Sequence, residues 1–86
     1  MSWRPTEAAQ RVLVAFDDGG GSGVLAHQGS ICRVLVAGEL LACMPDTILR
    51  LLCWDFLRTD GAGRFDITAT GREAADKFRA RHGEVA

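Results

Sequence analysis

The order of elements this sequence predicts is helix, strand-rich middle, helix, β-hairpin, helix: an α+β fold of three helices in one domain, 1–86. Three observations carry it. Asp60-Gly61-Ala62-Gly63 marks a turn, because glycine reaches positive φ without steric cost. Arg64-Phe65-Asp66-Ile67 alternates polar and apolar, as a half-buried strand does. Thr70 and Glu73 stand three residues apart, the spacing of a capping box at a helix start.

The first helix is expected over Thr6–Phe16, where Ala8, Ala9, Val12, Leu13 and Phe16 recur at helical spacing. Thr6 suits the N-cap, and Trp3 is expected to fold back on the first turn. Asp17 and Asp18 oppose the helix dipole and reinforce the stop. The glycine run that follows, Gly19-Gly20-Gly21-Ser22-Gly23, lacks the Gly-Lys-Ser/Thr ending of a phosphate loop and follows a helix rather than a strand. It reads as a flexible link.

From Val24 to Met44 the chain is punctuated by Gly29-Ser30 and Gly38-Glu39. The β-branched run Ile31-Cys32-Arg33-Val34-Leu35-Val36 between them favours strands joined by tight turns. The competing reading is a helix over Ser30–Ala42, which would enclose Gly38 at a cost of about 1 kcal/mol. The choice matters, because without that helix there is no helix-turn-helix.

Pro45–Leu57 is the strongest helix signal. Pro45 suits the first turn and Asp46 complements the positive helix end. Ile48, Leu49, Leu52, Cys53, Phe56 and Leu57 cover one broad face, with Thr47, Arg50 and Arg58 on the other and Trp54 in the middle of that polar arc. The last helix is expected from Thr70 to about Arg81. Ala74, Ala75 and Phe78 turn inward, and the outer face is mixed in charge.

Composition narrows the function. A chain of 86 residues, 48% hydrophobic, supports one core. It holds no apolar run of membrane-spanning length and no signal-peptide pattern, so a cytoplasmic protein is expected. Cys32, Cys43 and Cys53 are odd in number and widely spaced, which fits neither a disulfide framework nor a zinc motif. They read as reduced core thiols. His27 and His82 are isolated, no nucleophile motif is present, and Asp60 and Asp66 flank a turn, so neither catalysis nor a cofactor or metal is expected.

Two local patterns carry a resemblance. Ile67-Thr68-Ala69-Thr70-Gly71-Arg72 resembles the Leu/Ile-Thr-x-x-Gly-Arg of many small bacterial winged-helix regulators, at the passage from wing to final helix. Pro45-Asp46-Thr47-Ile48, leading to Phe56-Leu57, resembles the helix before the wing. The layout of the whole chain is also similar to that of the small toxins that inhibit bacterial topoisomerase I, whose middle segment is likewise strand-like. The resemblance implies a winged-helix-like fold with the hairpin as its wing. It implies binding to DNA or to a protein as the activity.

For DNA, the candidate residues are Thr47, Arg50 and Arg58 in the groove and Arg64 at the wing. Between 45 and 66, however, those three arginines face four acids, Asp46, Asp55, Asp60 and Asp66, and the whole chain carries a formal charge of −1. Affinity for phosphates needs a surplus of cations. Protein binding suits the same residues better, because Trp54 between Arg50 and Arg58 combines the side chains most enriched at interface hot spots. The expectation is therefore a small non-enzymatic regulator or inhibitor that binds a protein of the nucleic-acid machinery through Thr47, Arg50, Trp54, Arg58 and Arg64. The alternative is a DNA-binding transcriptional regulator.

Overall fold

The computed structural model describes the backbone of residues 7–85 and the side chains of residues 7–80. Trp3 and Thr6 lie outside the described residues. Helix α1 (Glu7–Asp18) buries Ala9, Val12, Leu13 and Phe16, the stripe its periodicity marks. It closes where Gly19 and Gly21 donate to the Ala15 and Phe16 carbonyls, at 3.0 and 2.7 Å. Gly20 and Gly21 take φ of 90° and 89°, which only glycine adopts freely.

The glycine run is not a flexible link throughout, and this corrects the sequence reading. Ser22 and Gly23 already belong to strand β1 (Ser22–His27). Gly23 is buried, and a Cβ there would stand 2.8 Å from the Phe16 ring and 2.9 Å from Val34 and Val36. The missing side chain lets α1 press directly on the sheet.

The middle segment is extended. Strands β2 (Cys32–Val36) and β3 (Glu39–Cys43) form a hairpin around Ala37 and Gly38, whose φ values of 51° and 82° are those of a two-residue primed turn. Along β2 the side chains alternate buried and exposed, so Cys32, Val34 and Val36 enter the core.

Helix α2 (Pro45–Cys53) ends four residues before the expected Leu57. Trp54 caps it, Asp55 turns to φ 62°, and Phe56 donates to the Leu51 carbonyl at 3.0 Å, a left-handed C-terminal closure. A helical wheel drawn through Leu57 misplaces the inner face. The buried residues of α2 are Thr47, Ile48 and Leu51, whereas Leu49 is 58% exposed and the Cys53 side chain faces solvent. Phe56 and Leu57 do reach the core, but from the turn and from strand β4 (Leu57–Thr59).

Strand β5 (Arg64–Ile67) returns antiparallel to β4. The loop between them is tied by Asp60, whose carboxylate accepts from the Ala62 and Arg64 amides at 2.7 and 3.2 Å. Those two hydrogen bonds hold its pKa below the ordinary carboxylate value. The last helix, α3 (Ala69–Val85), starts one residue before Thr70, so the Thr70–Glu73 capping box gives way to another cap. Thr68 Oγ1 accepts from the Gly71 amide at 2.9 Å and donates to the Asp55 carbonyl at 2.5 Å.

The five strands make one antiparallel sheet in the order β3-β2-β1-β5-β4. The β4–β5 hairpin does not stand apart as a wing, because β5 pairs with β1 and becomes an inner strand. Helix α1 touches both other helices and the sheet, so the core lies between one helical layer and one sheet face.

Candidate functional site

A sheet with helices on one face presents every second residue of its strands to solvent on the other. Directly paired residues of antiparallel strands project to the same side, so the pairing register maps that open face. Arg64 of β5 lies opposite Val24 of β1, Val24 opposite Leu35 of β2, and Leu35 opposite Leu40 of β3. One row thus crosses four strands, a cation followed by three aliphatic side chains. Val24, Leu35 and Leu40 are 54%, 42% and 62% exposed.

Polar rows flank it. On one side His27, Arg33 and Ala42 align, with a bulge in β1 between Leu25 and His27. On the other side Arg58, Asp66 and Ser22 align. Asp66 is engaged within the sheet: it accepts from Ser22 Oγ at 2.5 Å and pairs with Arg64 at 3.4 Å. The strand residues of this face therefore carry Arg33, Arg58 and Arg64 against Asp66 alone. The formal charge of −1 for the whole chain conceals an open face that is net positive.

The five residues singled out in the sequence do not gather at one place. Arg58 and Arg64 stand on the open face. Arg50 lies in the helical layer, where it pairs with Asp46 one turn earlier at 2.8 Å. Thr47, expected on the outer arc of α2, is 8% exposed, because the inner face of the shortened helix turns through it. It lines a groove of about 480 Å³ between α1 and the β3 edge, with Val12, Leu41 and Met44. Trp54 is not between two arginines on a helix. It caps α2, is half-buried against the core and meets the Phe56 ring at a centroid distance of 6.0 Å.

Val24, Arg33, Leu35 and Leu40 stand outside the residues the sequence singles out, though a signal for them exists in it. The alternation of Cys32-Arg33-Val34-Leu35-Val36 separates Arg33 and Leu35 from the inward set. A two-residue turn at Ala37-Gly38 then fixes Leu35 against Leu40. Among the described residues no three His, Cys, Asp or Glu side chains gather as a metal site requires, and no helix is long and apolar enough to cross a membrane. No protein-family model, curated protein or solved structure matches the chain.

Proposed function

We propose that this chain is a small non-enzymatic regulator or inhibitor that acts by binding another protein through the open face of its sheet. The observation that carries the reading is the row Val24, Leu35 and Leu40, exposed together and bordered by Arg33, Arg58 and Arg64. Contiguous aliphatic surface on a small domain is costly in water and is characteristic of contact surfaces. Arginines at its border select a partner with an apolar centre and an acidic rim.

Nucleic acid fits this face less well. Single strands are held by stacking bases on aromatic rings. The described phenylalanines are buried and Trp54 packs against the core, so among the described residues the open face offers only the His27 ring as such a platform. Duplex reading by a helix-turn-helix needs a second helix where this chain has the β2–β3 hairpin. The resemblance to winged-helix regulators matches β4–β5 to a wing by place in the sequence alone, since β5 is built into the sheet beside β1. The similarity to topoisomerase inhibitors supports nucleic-acid machinery as the setting, in the cytoplasm.

Affinity capture from native lysate with the wild-type chain and with Leu35→Lys/Leu40→Lys tests the proposal. A protein retained by the wild type and lost with the folded variant is the expected result. Sequence-specific duplex binding tighter than about micromolar at physiological salt would establish the DNA-binding alternative instead.

A further inference from the structure

The β2–β3 register sets two of the three cysteines directly opposite each other. Cys32 is the cross-strand partner of Cys43, and both thiols are free, buried and on the core side of the sheet. Directly opposed residues of an antiparallel pair have Cα atoms about 4.5 or 5.5 Å apart, depending on the hydrogen-bonding type of the pair. Both separations fall within the roughly 4.4–6.8 Å that disulfides span. β3 is an edge strand, paired with β2 alone, so a small closing movement disturbs only one ladder.

Both thiols border openings. Cys43 lines the groove between α1 and the β3 edge, beside Ile31 and Met44. Cys32 lines a smaller cleft of about 170 Å³ beside Gln28 and Leu49. A molecule the size of hydrogen peroxide has a route to each.

We infer that Cys32 and Cys43 form a reversible cross-strand disulfide when the protein meets a peroxide. One thiolate sulfur attacks a peroxide oxygen; the O–O bond breaks, a sulfenic acid forms and water leaves after protonation. The second thiolate attacks the sulfenic sulfur; the S–S bond forms, the S–O bond breaks and a second water leaves. Overall two thiols and one hydrogen peroxide give one disulfide and two waters. The two sulfurs lose two electrons, and the peroxide gains them. The Cys43 thiol, pushed up to about 11 by burial first and by Cys32 second, makes this a slow reaction that responds to sustained oxidant. The bond would staple β3 to β2 at the end remote from the Ala37–Gly38 turn, in the hairpin that carries Leu35 and Leu40. Cys53, exposed at the end of α2, is not part of the pair.

Tryptic digestion separates the cysteines, because Arg11, Arg33, Arg50 and Arg58 place Cys32, Cys43 and Cys53 in different peptides: 12–33, 34–50 and 51–58. The full chain is treated with hydrogen peroxide, quenched with catalase, unfolded in guanidinium, alkylated and digested without reductant. The expected product is peptide 12–33 linked to 34–50, lighter than their sum by two hydrogen atoms and resolved by dithiothreitol. In Cys53→Ser the same link forms, and both remaining alkylation sites disappear together; in Cys43→Ser no link forms. Full alkylation of Cys32 and Cys43 in the treated wild type would overturn the inference. So would a link that contains Cys53, or separate overoxidation of the two thiols.

Discussion

A methyl group at Gly71 would stand 2.2 Å from the Phe56 carbonyl oxygen and 2.8 Å from Ile67 Cγ1. The obstructing atom is backbone, and the same carbonyl accepts from the Thr68 amide at 3.0 Å, so it has little freedom to retreat. Gly71→Ala is expected to destabilise the domain by about 3 kcal/mol, at the upper end of overpacking costs, measured by urea unfolding. A loss below about 1 kcal/mol would show that α3 shifts to make room. Cys43 makes a second residue-scale prediction. Its folded pKa, about 11, lies above the unfolded 9.0, so the neutral thiol's contribution is fully present below pH 9 and lost as pH climbs to 11. With solvent screening allowed for, that rise corresponds to at most about 2 kcal/mol. Under reducing conditions, unfolding midpoints should fall across that window in the wild type and fall less in Cys43→Ala. Parallel pH profiles would remove the assignment to this thiol.

Between elements, the acids that end α1 have a second role. Asp17 takes Arg72 at 3.3 Å and Arg79 at 2.6 Å, while Arg79 also pairs with Asp18 and, at 3.1 Å, with Asp76. These contacts fasten α3 across the C-terminal end of α1. The Asp17 side chain is 13% exposed, so it is screened less than a free surface pair. Asp17→Ala should cost about 1–2 kcal/mol in low salt, with the difference shrinking in about 1 M salt. A cost that does not depend on salt would assign Asp17 a packing role instead. The contrast with the sequence reading is informative. Alternation and turn glycines placed β2, β4 and β5, since those signals are local. The outer face of α3 looked like an ordinary solvated surface, because nothing local indicates that Arg72 and Arg79 meet residues more than fifty positions earlier. Likewise α2 carried apolar residues past its true end, and only Asp55 turning left-handed decided that Phe56 and Leu57 enter the core from a turn and a strand.

At the scale of the molecule, the acids are segregated from the open face of the sheet. Of the acids on strands or in helices with described side chains, Asp66 alone stands on the open face; Glu39 projects from β3 to the helix-facing side, opposite Val36, and Glu7, Asp17, Asp18, Asp46, Glu73 and Asp76 belong to the helical layer. Net charge averages this polarity away, and the helical wheel of Pro45–Leu57 points instead to Trp54 between Arg50 and Arg58. Only the order β3-β2-β1-β5-β4, which joins strands far apart in sequence, assembles Arg33, Arg58 and Arg64 around Val24, Leu35 and Leu40. The two kinds of residue should act on different steps of binding. Border charges steer encounter, whereas the apolar centre holds the complex once formed. Once a protein partner has been captured, Arg33→Glu is expected to slow association about tenfold at low salt and much less in about 0.5 M salt. Leu35→Lys should instead speed dissociation, with unfolding stability changed by less than about 1 kcal/mol because the site is exposed. Surface plasmon resonance across a salt series separates the two. If both variants bind as the wild type does while remaining folded, the open face is not the contact surface, and the groove between α1 and β3 becomes the next region to probe.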